Sequence, residues 1–270
     1  MRVGIIKGAF APLLCSQLSE ILKFRKQYSL DEIWFVFEEH TVSYENRSHM
    51  LKLMIAPYRK LKIMKGDWLY EGIDYVQLPF VNIEFDFDLH WKDVSSVVKT
   101  YMMEHGIYVE DIARSLVKPK RWLHVSSMTQ LAVDLAVAHH MNAYEAFLAG
   151  MFHDCTKRLD YDESSFWMRL NASNKLDEAF AIHHQYTGEI YCRRVLKIRN
   201  QNVLHAILHH VKGDSNHPLA QIIYLADKLD PSRDYDSSKE IALAKKDLNQ
   251  AVKVVKEQQI AYLRKEGVKV

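Results

Sequence analysis

Histidine and aspartate recur along this chain at an interval that a helical bundle can use. His153 and Asp154 follow an apolar run over residues 146–152, and further candidates stand at His124, His183, His210 and Asp227. The steps between them are 29, 30, 27 and 17 residues. A hairpin of two helices of three to four turns, with its loops, takes roughly 25 to 30 residues, so these side chains return to about the same height in a bundle. Four imidazoles and two carboxylates in one layer suit iron, manganese or zinc; no cysteine shares the spacing, which argues against a soft thiolate site. An aspartate between two histidine groups can bridge two ions roughly 3.5–4 Å apart, and such a pair activates water and clamps a phosphoryl oxygen.

The chain has fourteen histidines, and a histidine taken alone is more often a surface or hydrogen-bonded core residue than a ligand. Helical phase separates neighbours. On a helix expected over 174–183, Leu176, Ala179 and Phe180 share a face with His183, whereas His184 is rotated off it. On a helix over 203–211, Val203, Ala206 and Ile207 align with His210 and not with His209. Ala220, Ile223 and Tyr224 align with Asp227. His153 shares a stripe with Ala146, Ala149 and Gly150, small residues that let neighbouring helices approach closely. An ionised aspartate on an apolar face costs several kcal/mol unless a cation or hydrogen bonds compensate it. His90, His105, His139, His140, His205 and His217 show no such pattern.

The elements that must position these residues fall into two halves. Up to about residue 117 strand and helix signals alternate: strands over 3–6, 32–37, 61–64 and 73–78, helices over 16–26 and 44–56, the latter ending at Pro57. Strands separated by helix-length segments imply βαβ units and a parallel sheet. From Lys118 onward the strand rhythm stops. Met128, Leu131, Ala132, Leu135 and Ala136 fall at helical spacing, and Asn142 with Glu145 forms a candidate capping box. Further helices are expected over 164–170, 174–183, 187–198, 203–211 and 218–229, with a last one from about 237 to just before Gly267. The division is therefore 1–117 and 118–270, with Pro119 at the joint.

With 270 residues, 48% of them hydrophobic, and few glycines and prolines, the chain can build two cores. Its formal net charge of +2 gives no reason to expect nucleic acid or an anionic membrane as partner. Cys15, Cys155 and Cys192 are too scattered for a disulfide framework. No segment reads as a signal peptide or a membrane span, so a cytoplasmic protein is expected, with homo-oligomerisation left open.

The second half resembles the HD superfamily of metal-dependent phosphohydrolases, and within it the YqeK-type symmetrical diadenosine tetraphosphatases. Arg121 and His124 match an R-x-x-H opening, and Ala149, Gly150, His153, Asp154 and Lys157 match A-G-x-x-H-D-x-x-K. Ile182-His183 stands at the third histidine position. The segments 206–213 and 223–233 resemble A-I-x-x-H-T-T-G and I-x-x-A-D-x-I-E-P-x-R, which again select His210 and Asp227. The resemblance implies hydrolysis of diadenosine tetraphosphate, a small nucleotide substrate, to two ADP with iron as the metal. It implies that His124, His153, Asp154 and Asp227 hold one ion, and that His183 and His210 hold the other with Asp154 bridging. Asp154 and Lys157 then serve catalysis, with Arg121, Lys157, Lys212 and Arg233 on substrate phosphates. Val211 and Lys212 stand where the pattern has two threonines, and Asp230 where it has glutamate; these departures bear on substrate preference. Another nucleotide or second messenger, or a nucleotide-sensing role, are the alternatives.

The first half resembles nicotinate-nucleotide adenylyltransferases, which implies a doubly wound, Rossmann-like nucleotidyltransferase fold. Gly8, Phe10 and Pro12 fit the start of a G-x-F-x-P-x-H-x-x-H loop, Arg47 and Met50 fit R-x-x-M, and Ser95-Ser96 falls at an S-S-T-x-I-R motif. Leu14 and Gln17 replace the two histidines, Val97 the threonine and Thr100 the arginine. Each lost donor or cation is typically worth roughly 10²–10³ in rate. The expected reading is a degenerate relative: a scaffold, dimerisation surface or nucleotide sensor.

Overall fold

The protein is described by a computed structural model, which describes residues 1–66 and 69–265. It divides into two compact units, Met1–Ile107 and Tyr108–Val270.

The first unit holds β1 (Arg2–Gly8), α1 (Cys15–Gln27), β2 (Glu32–Phe37), α2 (Tyr44–Ile55), β3 (Leu61–Met64), β4 (Asp74–Gln77), the short α3 (Phe87–His90) and α4 (Ser96–Glu104). The strands form one parallel sheet in the order β3-β2-β1-β4, with Ile5 beside Trp34 and Gln77. Parallel strands are covered on both faces, which is why β1 and β2 read as near-continuous apolar runs. Val3, Ile5, Ile6, Ile33 and Phe35 are buried in that sheet.

The second unit is helical: α5 (Val109–Leu116), α6 (Pro119–Ala138), α7 (Ala143–Phe152), α8 (Tyr161–Asn171), α9 (His183–Tyr191), α10 (Gln201–His209), α11 (Pro218–Lys228), α12 (Ser238–Ala244) and α13 (Leu248–Lys265). The boundary expected after 117 falls ten residues earlier. Helix α5 buries Val109, Ile112, Ala113 and Leu116 and packs with α7, so it belongs to the helical unit.

Three expectations change. Residues 174–183 do not form a helix; the chain makes 3₁₀ turns at Ser173–Lys175 and Phe180–Ile182, and α9 begins at His183. The supposed core face is open to solvent, with Phe180 46% exposed. The last helix is two helices, because the Asp247 carboxylate accepts from Gln250 N at 3.0 Å and caps a new start. Gly267 lies outside the described residues. Asn142 does cap α7, accepting from Tyr144 N and Glu145 N, but Glu145 does not complete the box. Its carboxylate instead accepts from Asn200 at 2.8 Å and Asn202 at 3.1 Å, tying the start of α10 to that of α7.

Candidate metal centre

Five helices bring the clustered residues together, and several sit at helix ends where the backbone turns. His124 projects from the second turn of α6. His153 follows the last residue of α7, so it and Asp154 occupy the turn that closes the helix. His210 follows α10 in the same way. His184 lies in the first turn of α9, and Asp227 near the end of α11. The small residues on the His153 stripe serve close approach: a Cβ added at Gly150 would stand 2.6 Å from Thr129 Oγ1 and 3.0 Å from Thr129 Cα, so α6 and α7 meet there almost backbone to backbone.

The result is two adjoining groups of ligand atoms, His124–His153–Asp227 and Asp154–His184–His210. Asp154 faces both. Its Oδ2 lies 3.3 Å from His153 Nε2 and 3.9 Å from His124 Nε2, while its Oδ1 lies 3.3 Å from His184 Nε2 and 3.8 Å from His210 Nε2. Asp227 Oδ1 stands 3.3 Å from His124 Nε2.

The ring orientations are fixed from behind. His153 Nδ1 donates to Gly150 O at 2.7 Å, His210 Nδ1 to Ile207 O at 2.7 Å, and His124 Nδ1 lies 2.7 Å from Asp230 Oδ2. An imidazole that gives its Nδ1 proton away presents the Nε2 lone pair, the form a metal needs. His210 Nε2 and Asp154 Oδ1 are buried without a hydrogen-bond partner. Such orphans are rare in folded proteins and demand an explanation; here they point into a cluster of nitrogen and oxygen donors. The residues present fit a divalent metal.

At His184 and His210 the electrostatics agree, whereas at His153 burial is outweighed by the charge and hydrogen bond of Asp154, which raise it. Burial, reinforced by His210 and opposed by Asp154, pushes His184 down to about 2, so it is a neutral imidazole at ordinary pH. Burial also lowers His210, against the pull of Asp154. Burial alone would raise Asp154 and Asp227. The charge and hydrogen bonding of His153 nevertheless hold Asp154 well below the usual carboxylate range, and Lys228 and His124 do the same for Asp227.

Cations crowd this acidic pair. Arg121 Nε pairs with Asp154 Oδ2; Lys228 Nζ stands 2.7 Å from Asp227 Oδ2 and Arg233 Nη2 3.2 Å from its Oδ1. Lys157 Nζ lies 3.0 Å from the His184 ring and 3.3 Å from Ala181 O. Burial lowers its pKa, partly offset by Asp154.

Five of the six expected ligands thus converge, and the exception is His183. Its Nε2 lies 2.9 Å from Glu178 O and its Nδ1 3.4 Å from Ser164 Oγ, away from Asp154. Its place is taken by His184, since consecutive residues at a helix start point about 100° apart. Leu176, Ala179 and Phe180 do not set the phase of His183, because no helix joins them to it. A usable signal lay downstream: Gly188, one turn beyond His184, packs with its Cα face toward His153 O and Ile207, which marks the inward side of α9. Lys212 also departs from expectation. It pairs with Glu178 and lies over the Tyr186 ring at 5.8 Å. Asp230, read as a change affecting substrate, stands behind a ligand instead.

A helical unit with a His-Asp pair at a helix end and histidines from neighbouring helices around it is the arrangement of an HD domain, and residues 121–232 match the HD domain family. The chain is 33% identical over 148 residues to a symmetrical bis(5'-nucleosyl)-tetraphosphatase of Halalkalibacterium halodurans, covering 52% of this chain and 79% of that protein. It belongs to that family. It is also 30% identical over 172 residues to a Mycoplasma pneumoniae protein named a probable nicotinate-nucleotide adenylyltransferase/Ap4A hydrolase, covering 61% of this chain. The chain spans about half the length of the two mycoplasma relatives it matches, 50% and 48%. Among solved structures, a predicted HD superfamily hydrolase involved in NAD metabolism from Clostridium acetobutylicum superposes with a TM-score of 0.56 at 26% identity, covering 60% of this chain and 88% of that one.

Proposed function

We propose that the helical unit hydrolyses a dinucleoside polyphosphate, cutting diadenosine tetraphosphate symmetrically into two ADP. The observation that carries this reading is Asp154, whose two oxygens face separate groups of buried imidazoles while basic side chains surround the pair. His124, His153 and Asp227 would hold one divalent ion and His184 and His210 the other, with Asp154 shared. Iron is the metal suggested by resemblance, with manganese and zinc as alternatives. Bound there, the ions supply a Lewis acid that draws charge from a phosphoryl oxygen and eases deprotonation of the attacking water. The chain's own residues do the rest. Arg121 and Lys157 reach the edge of the centre and neutralise phosphate oxygens as charge grows in the transition state. Burial of the ligands excludes bulk water, which strengthens each of these interactions.

The first unit is read as a Rossmann-like, degenerate nucleotidyltransferase domain. Its parallel β3-β2-β1-β4 order supports that fold, and its loop chemistry supports degeneracy. Gln17, standing for a histidine, spends its amide on the backbone: Oε1 accepts from Leu14 N at 3.0 Å and Nε2 donates to Val81 O at 3.0 Å. The Asp93 carboxylate accepts from Ser16 N at 3.1 Å, so the start of α1 already holds an anion. Arg47 is buried and donates to the carbonyls of Ala9, Glu38 and Val42.

Metal-loaded protein incubated with diadenosine tetraphosphate should release ADP alone. Absence of turnover at full metal occupancy would overturn the hydrolase reading, and ATP plus AMP as products would refute the symmetrical cut.

A further inference from the structure

Beside the centre opens a cavity of about 350 Å³ whose wall includes His124 and five cations: Lys118, Lys120, Arg121, Lys157 and Arg158. No carboxylate is among its described lining residues. Two of the cations touch the centre, Arg121 through Asp154 and Lys157 through His184. The other three touch none of the clustered side chains. Lys118 and Lys120 are exposed and form no ion pair among the described residues. Arg158 donates one bond, from Nη1 to Ser115 O at 3.1 Å, which leaves the other face of its guanidinium free.

Of these five charges Arg121 is paired with the Asp154 carboxylate, and the other four repel each other and it unless a further anion joins them. The start of α6 adds to the field, since Lys118 is its N-cap and Pro119 its first residue, and the helix dipole is positive at that end. A single phosphoryl group at the centre meets Arg121 and Lys157 and leaves three cations unused. We infer that Lys118, Lys120 and Arg158 bind the phosphates that lie beyond the reacting one, so that the cavity selects its substrate by phosphate-chain length. This rests on the phosphohydrolase reading, and it names what that site requires: a nucleotide with a long polyphosphate, not a nucleoside monophosphate or its ester.

Binding of AMP, ADP and ATP to the metal-loaded full chain tests this with the base held constant and without relying on turnover. Titration calorimetry at fixed ionic strength should show affinity rising by roughly tenfold from AMP to ATP or more, as charge-assisted contacts are added. In K118Q/K120Q/R158Q, with metal content equal to the parent's, the gradation should flatten to within about threefold. K118Q/K120Q, which keeps the Arg158–Ser115 contact, should flatten it in part. For diadenosine tetraphosphate the triple variant should show a raised KM with kcat little changed. Equal affinity of the parent for AMP and ATP, or a parent-like gradation in the triple variant, overturns the inference. Gradation in a parent that hydrolyses no dinucleoside polyphosphate would sink the hydrolase reading and leave the polyphosphate cavity standing. Hydrolysis without gradation would do the reverse.

Discussion

His124 Nδ1 lies 2.7 Å from Asp230 Oδ2, and that carboxylate is fully buried behind the ligand group it serves. Ser232 holds it in place, through its N at 3.0 Å and its Oγ at 2.6 Å. A carboxylate can only accept, so His124 must give it the Nδ1 proton and keep Nε2 free. Asp230→Asn should undo this. The amide NH2 can donate to Nδ1, which moves the ring proton to Nε2, where an ion would bind. The expected loss is about 10–100-fold in affinity for the first ion, with the second retained. Elemental analysis at limiting metal should then find about one ion fewer per chain than in the parent, for which the proposed centre predicts two. Two tightly held ions in the variant would reduce Asp230 to a structural acid.

His183 and His184 give opposite predictions one residue apart. His184→Ala removes a donor aimed at Asp154 Oδ1 and should abolish binding of the second ion together with activity. His183→Ala removes a buried ring that bonds Glu178 O, costing about 1–3 kcal/mol of stability while metal content stays at the parent's level. Metal content and thermal melting of the two variants, measured side by side, separate them. Metal loss in His183→Ala with none in His184→Ala would restore the spacing argument.

That pair also shows where sequence reading works and where it stops. The even steps find the layer of clustered side chains because helix length sets them, and α10 and α11 keep the phase that selects His210 and Asp227. Small residues at Ala146, Ala149 and Gly150 announce the close approach of α7 to α6 through geometry that any larger side chain would block. The segment before α9 defeats the same logic. Leu176, Ala179 and Phe180 have helical spacing, yet the same three positions also satisfy a pair of 3₁₀ turns with Phe180 in solvent. Asp230 was legible only as a departure from a motif. Its role depends on a contact across 106 residues, which no local pattern encodes.

Lys212 gives a prediction with a pH sign. Burial would raise the Glu178 carboxyl, but the hydrogen bond and charge of Lys212 lower it below its ordinary value. A depressed carboxyl contributes stability above its unfolded titration, and that contribution disappears as pH falls through the folded one. Lys212→Gln should therefore cost no more than about 1 kcal/mol at neutral pH, as expected of a half-exposed pair. Parent and variant should converge as pH falls below the ordinary glutamate value of about 4.3 and through the lower folded titration of Glu178. Urea denaturation at pH 7 and pH 3.5 measures this. A stability difference that grows on acidification, or a large rise in KM for the nucleotide at pH 7, would return Lys212 to the substrate side.

Gly150→Ala probes the spacing on which both ligand groups depend. The new methyl meets Thr129 Oγ1, which can rotate away, and Thr129 Cα, which cannot. Relief requires α6 and α7 to separate by some tenths of an ångström, and these helices carry His124 and His153. Overpacking of this kind costs about 1–3 kcal/mol, so the melting temperature should fall while the variant still folds. The shift also moves one ligand of the first ion relative to another. Metal affinity should then drop more than stability alone explains, because a folded variant with displaced donors binds poorly at any temperature. Thr129→Ala added to Gly150→Ala removes the Oγ1 clash and leaves the backbone contact, so it should recover only part of the loss. Full recovery of metal binding in the double variant would place the constraint in the threonine side chain and not in the distance between the helices.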